Sequence, residues 1–289
     1  MLDRLADVVR LAAPGARRAV AANLAQVRGG QAFGGRGRRH AWAVRGVFRH
    51  VLRNYYDTFR LPALSDAAVR AFVDIDGLEH LRAALALGRG AILVSAHVSS
   101  VAFAVQALAL ALDGHPGIVA VEAVEPPELL DVLRRARSSH GWRCRALGPG
   151  LAGELAAALG RNEVVCLVAD RDIGGAGMVL DFFGRPARLP TGPALLALRT
   201  GAPVVPASVS RRPDGRLNGR IGPPLPATRT AYWRADVAEI TRRITAHLEY
   251  HIGRFPEQWT VLQRIWEHDV RSGRPAPSSA SDQEPLGHG

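Results

Sequence analysis

The chain has 289 residues, a formal net charge of +11, 47% hydrophobic and 22% charged residues. That balance fits one large globular domain or two small ones and argues against a disordered, collagenous or polytopic membrane protein. All 37 basic residues are arginine, so pyridoxal-phosphate chemistry, lysine-nucleophile aldol chemistry and Walker-type phosphate loops, which each need an ammonium group, are excluded together.

The excess positive charge predicts an anionic counterpart, whether a phospholipid surface, a phosphorylated substrate or a nucleic acid. At the N-terminus Arg4, Asp7 and Arg10 interrupt Leu2 to Leu11, so no signal sequence is expected. Ala16 to Val27 reads as an arginine-headed helix that stops at Gly29-Gly30, and a glycine-rich linker runs to Gly37. From Ala41 to Leu61 the residues Val44, Val47, Phe48, Val51, Leu52, Tyr55 and Phe59 recur at helical steps. Arg45, Arg49 and Arg53 form a separate stripe on this helix. Such a stripe suits either lipid headgroups at a bilayer interface or an ordinary solvated face over a buried apolar one.

From about Phe72 short apolar runs alternate with helical stretches. Gly90 to Ser95, Ile118 to Glu122, Arg143 to Leu147, Val164 to Ala169 and Pro203 to Ser210 read as buried strands. Leu78 to Leu87, Ser99 to Leu112, Pro126 to His140, Leu151 to Gly160 and Pro193 to Thr200 read as helices. The expectation is an α/β domain with a largely parallel central sheet flanked by helices, its functional groups at the carboxyl ends of strands. Tyr232 to Gly253 is a further amphipathic helix, followed by an aromatic segment around Trp259 and Trp266. Cys144 and Cys166 lack metal-site or redox spacing and read as reduced core thiols. No apolar run reaches the ~20 residues needed to span a bilayer. The expected organisation is a basic helical region over residues 1–62, an α/β domain over 63–270 and a disordered tail over 271–289.

Three groups of residues stand where chemistry is best presented. His97 follows the strand G-A-I-L-V-S-A and precedes a helix, the address of a general base; a structural histidine is the alternative. Asp170-Arg171-Asp172 ends the next buried strand but two, where Arg171 between two carboxylates would hold its fork toward a phosphate, or the three would form a structural ion-pair knot. Further on, Phe182 and Phe183 would line an apolar slot, and Thr191 would begin a helix whose free N–H groups suit an anion. Ordinary core packing and capping are the alternatives there.

Together these blocks resemble a known family. R-A-V-A-A-N-L at Arg18 to Leu24, Tyr55 to Pro62, G-A-I-L-V-S-A-H ending at His97, V-A-D-R-D, Asp181 to Pro206 and F-P-E-Q-W at Phe255 to Trp259 are similar to segments of the bacterial lysophospholipid-acyltransferase-like family. That family includes lipid A late acyltransferases and, closer still, phosphatidylinositol mannoside acyltransferases. The resemblance implies that His97 takes a proton from an acceptor hydroxyl, which attacks an acyl thioester of coenzyme A or acyl carrier protein. It also implies an acid five residues later that orients the imidazole, but Ala102 stands at that position. Losing such an acid costs roughly 10⁴ in turnover in the serine-protease template, so another must replace it. Glu122, at the end of a neighbouring predicted strand, is the candidate substitute, with Asp170 and Asp172 as others across the sheet end.

The expected function is therefore acyl transfer to a hydroxyl of a membrane glycolipid or phospholipid, which the resemblance narrows to a phosphatidylinositol mannoside-like acceptor, by a peripheral protein on the cytoplasmic face of the plasma membrane. No cofactor is implied beyond the acyl thioester co-substrate. The expected partners are an anionic membrane surface, the acyl donor and the lipid acceptor. A catalytically impaired lipid-binding relative is the second reading, supported by Ala102. The arginines are spread over the chain without a nucleic-acid-binding signature, so no nucleic acid partner is expected.

Overall fold

A computed structural model describes residues 1–29, 38–122, 124 and 126–266. The chain opens with helices α1 (Leu2–Ala12), α2 (Pro14–Val27), α3 (Arg38–Arg60) and α4 (Asp66–Phe72). Strand β1 (Val73–Asp76), α5 (Leu78–Leu85), β2 (Ala91–Ser95), α6 (Val101–Ala111), β3 (Gly117–Val121), α7 (Pro127–Arg137) and β4 (Arg143–Ala146) follow. Then come α8 (Leu151–Gly160), β5 (Val164–Val168), β6 (Met178–Phe182), β7 (Arg185–Leu189), α9 (Gly192–Thr200), β8 (Val204–Arg211), β9 (Leu217–Ile221) and α10 (Trp233–Arg254).

Seven strands form one sheet in the order β1-β9-β8-β2-β5-β3-β4. All neighbours are parallel except β8 and β9. The sheet is thus the expected α/β architecture, with β6 and β7 forming a separate antiparallel hairpin. The central strand β2 is buried at every residue, as a parallel strand covered on both faces requires. Ile92 and Val94 face a core shared with α8, α9 and α10, whereas Ala91 and Leu93 face one shared with α5 and α6. This alternation places the helices in two layers, one on each side of the sheet.

Helices α1, α2 and α3 close on their own apolar cluster, in which Ala6, Val20, Leu24, Val44, Val47 and Phe48 are buried. The arginine stripe of α3 is partly exposed and pairs with the acids of α1. Arg45 is bonded to Asp7, Arg49 lies 3.6 Å from Asp3, and Arg53 lies 3.2 Å from Asp3. Helix α1 therefore runs antiparallel to α3 with its acids turned inward. Its outward face carries Leu5, Val8 and Leu11, which are 51%, 61% and 61% exposed. Ala6 and Val9 of the same helix pack inward, so these three aliphatic side chains stand beside the exposed Arg4 as an outer face unusually rich in apolar residues for a surface helix.

Strands β1, β6, β7 and β9 and helix α4 were not among the expected elements. The glycine-rich linker beyond Gly29 and the tail over 271–289 lie outside the described residues. Both cysteines are buried and unpaired with each other. Among the described residues no helix is long and apolar enough to cross a membrane.

Candidate active site

The register of the sheet builds the site. β2 and β5 are parallel neighbours, with Ser95 opposite Val168. Two residues further along each strand end stand His97 and Asp170. Asp170 Oδ1 lies 2.6 Å from His97 Nδ1, and Asp170 Oδ2 accepts the His97 backbone N–H at 3.0 Å. The two residues are 73 positions apart in the chain, yet the strand pairing sets them side by side.

The backbone turns sharply just beyond the histidine. Ser99 has a φ of +56°, a left-handed conformation that costs a non-glycine residue on the order of 1 kcal/mol. It is held there by bonds on both sides: its N–H donates to Gln258 O at 2.8 Å, and its carbonyl accepts Asn54 Nδ2 at 2.7 Å. This turn lets the strand end pass into α6 while leaving the His97 side chain 32% exposed. Ala102, the second residue of α6, offers only a methyl group where the resemblance implied an acid.

Asp170 is fully buried, at 0% exposure. An isolated carboxylate there would be expelled or protonated. Burial pushes its pKa up, but the charge of the His97 ring, the hydrogen bond to that ring, the Trp259 N–H at 2.7 Å and the His97 amide outweigh it and hold the group at about 2. Asp170 is therefore ionised at neutral pH and accepts hydrogen bonds only. The proton between it and a neutral His97 must sit on Nδ1, which leaves the lone pair of Nε2 free.

The other expected site residues take different partners. Glu122, the expected substitute acid, is bonded to Arg171 and not to His97. The strand order explains this: β5 lies between β2 and β3, so the end of β3 is one strand too far from the imidazole. Arg171 is thus held by Glu122 and not between its own neighbours as expected. Asp172 accepts the Gly177 N–H at 2.8 Å and closes the 172–177 loop. Phe182 lines no open slot; it is fully buried among Phe183, Trp259 and Trp266, with ring centroids 4.9, 6.4 and 5.5 Å away. Phe183 lies partly buried against the same core. Thr191 stands at the start of α9 but its side chain makes no capping hydrogen bond.

An apolar cavity of about 40 Å³ lies on the opposite face of the sheet from Phe182, beneath α6. Leu93, Ser95, Val101, Val105 and Leu108 contribute to its lining, so it reaches the strand end that presents His97. Among the described residues no group of three acidic, histidine or cysteine side chains is arranged to hold a metal ion.

A buried acid bonded to a partly exposed histidine forms a constellation suited to deprotonating a hydroxyl. Residues 1–268 match the family model described as bacterial lipid A biosynthesis acyltransferase. The chain is 34% identical over 231 residues to a phosphatidylinositol mannoside acyltransferase of Mycobacterium tuberculosis, covering 78% of this chain and 70% of that protein. It is 30% identical over 236 residues to a protein of the same name from Mycolicibacterium smegmatis, covering 81% and 75%. A lipid A biosynthesis lauroyltransferase of Escherichia coli is 30% identical over 186 residues, covering 60% and 58%. The chain belongs to the bacterial lipid A biosynthesis acyltransferase family and is an acyltransferase.

Proposed function

We propose that this protein moves a fatty acyl group from the thioester of coenzyme A or acyl carrier protein to a hydroxyl of a membrane glycolipid of the phosphatidylinositol mannoside kind. His97 is the general base and Asp170, in place of an acid at position 102, orients it. The observation that carries this reading is the 2.6 Å contact between a buried, ionised Asp170 and His97 Nδ1. It leaves Nε2 as the proton acceptor on a side chain that is 32% exposed.

In this mechanism Nε2 takes the proton of the acceptor hydroxyl as its oxygen attacks the thioester carbonyl. The tetrahedral oxyanion collapses, the carbon–sulfur bond breaks, and the imidazolium returns the proton to the departing thiolate. Asp170 stabilises the imidazolium between these events without taking its proton. Arg171, Asp172 and Thr191 shape the polar surroundings, and the acyl chain enters the apolar space beneath α6. At about 40 Å³ that space is too small for a fatty chain as it stands, so chain entry requires α6 to yield.

The acceptor sits in a bilayer, and the exposed row of Leu5, Val8 and Leu11 supports docking of α1 on the cytoplasmic face of the plasma membrane. Each arginine near anionic lipid adds on the order of 1 kcal/mol. The test is product formation from acyl-CoA and a phosphatidylinositol mannoside extract, with the wild type and His97→Ala in parallel. Equal product from both ends the assignment of His97. A non-catalytic lipid-binding relative, the reading that Ala102 favours, requires that neither protein yield product while both retain lipid binding.

A further inference from the structure

The acid and the base are linked by a third element that lies far from both in sequence. After α10 the chain passes along the His97 loop as a short antiparallel bridge, Trp259 opposite Val98. Thr260 donates its N–H to His97 O at 2.8 Å and its hydroxyl to the same oxygen at 3.0 Å. Gln258 O accepts the Ser99 N–H at 2.8 Å. The segment is itself anchored, because Gln258 Oε1 accepts the Arg211 N–H at 2.7 Å and its Nε2 donates to Arg211 O at 3.0 Å. Trp259 is buried at 2% exposure, and its ring N–H donates to Asp170 Oδ2 at 2.7 Å.

We infer that Trp259 is a positioning residue for acyl transfer: its indole N–H pins one carboxylate oxygen of Asp170 so that the other meets the His97 ring. This rests on the reading of His97 and Asp170 as base and orienting acid. The geometry supports it in two ways. Oδ2 is held by two donors of different origin, the His97 amide and the Trp259 indole, which removes rotation of the carboxylate about its own axis. Oδ1 meets His97 Nδ1 at 2.6 Å. A carboxylate with one fixed oxygen points the other in one direction only, and a general base gains its orientation from that direction.

A second tryptophan supplies the internal control. Trp266 belongs to the same aromatic cluster, 6.2 Å from Trp259 by ring centroids, but its N–H donates to the backbone carbonyl of Phe182 at 3.0 Å. Substituting either ring disturbs the same packing, whereas only one substitution touches the carboxylate.

The experiment compares Trp259→Phe, Trp266→Phe and Asp170→Asn for kcat, KM, thermal midpoint and the pH dependence of kcat/KM, with acyl-CoA and the mannoside lipid as substrates. Trp259→Phe should lower kcat by roughly 10- to 100-fold, the equivalent of a hydrogen bond to a charged group, with KM little changed. With one donor lost the carboxylate becomes more basic, so the acid limb of kcat/KM should move to higher pH. Trp266→Phe should leave that limb in place whatever it does to the thermal midpoint. Replacing the Trp259 indole by benzothiophene, which keeps the ring shape and removes the N–H, should reproduce the Trp259→Phe profile even if the phenylalanine variant folds poorly. An unmoved limb and unchanged kcat in the benzothiophene protein overturn the inference, provided Asp170→Asn remains severely impaired. If Asp170→Asn is itself fully active, the underlying assignment of the acid fails instead.

Discussion

Asp170→Asn removes a charge without changing shape, and its consequence follows from the donors around it. The carboxylate faces three, with the His97 amide and the Trp259 indole on Oδ2 and the ring Nδ1 on Oδ1. An asparagine oxygen serves both donors at the Oδ2 position, which turns its NH₂ group toward the imidazole. Nδ1 must then accept, the ring proton moves to Nε2, and the lone pair that receives the hydroxyl proton is lost. In the serine-protease template this tautomer error lowers turnover by roughly 10⁴, equivalent to about 5 kcal/mol of barrier. The thermal midpoint should change far less, because the substitution also removes a fully buried charge. Initial rates of thiol release from acyl-CoA with lipid acceptor, alongside thermal unfolding, give both quantities. Retention of more than a tenth of wild-type kcat in a correctly folded Asp170→Asn protein would refute the assignment of the orienting acid.

Three further outcomes are expected. Restoring an acid on α6 by Ala102→Asp should give no gain, since the ring already has its partner and a second carboxylate there repels Asp170; a tenfold rise in kcat would show that position 102 still governs the base. Asp170 is held at about 2 against an ordinary value of 3.8, so its contribution to stability is complete above about pH 4 and lost as pH falls toward 2. The wild type should therefore lose about 2 kcal/mol relative to Asp170→Asn over that interval, and denaturation curves with a pH-independent difference would contradict the pairing. Leu5→Glu with Val8→Glu should weaken binding to anionic vesicles by roughly tenfold or more while sparing turnover of detergent-dispersed acceptor, and unchanged flotation would remove α1 from the membrane surface.

The central strands were legible because strands buried on both faces read as unbroken apolar runs, as in A-I-L-V-S and V-V-C-L-V. The edge strands were not. β1 is V-D-I-D and β9 is L-N-G-R-I, patterns with polar residues at alternate positions that resemble loops when read singly. The address of His97 was visible from the strand-to-helix transition. Its partner Asp170 was named only behind Glu122, at the end of the next predicted strand, because strand order is not written in the sequence, and the sheet places β5, not β3, beside β2. Arg45, Arg49 and Arg53 were seen as a stripe, but the acids that neutralise them lie on α1, and a single helix's periodicity contains no information about its neighbour.

The origin of the acid on an adjoining strand has a consequence for kinship and divergence. A histidine whose helper sits on its own helix is disabled by one substitution in that helix, whereas one served from across the sheet is insulated from such drift. Descendants of this lineage are then free to vary the start of α6 without disturbing the pairing of His97 with Asp170. Chains bearing a lone histidine after this strand deserve scrutiny two residues past the end of its parallel neighbour before being judged inert.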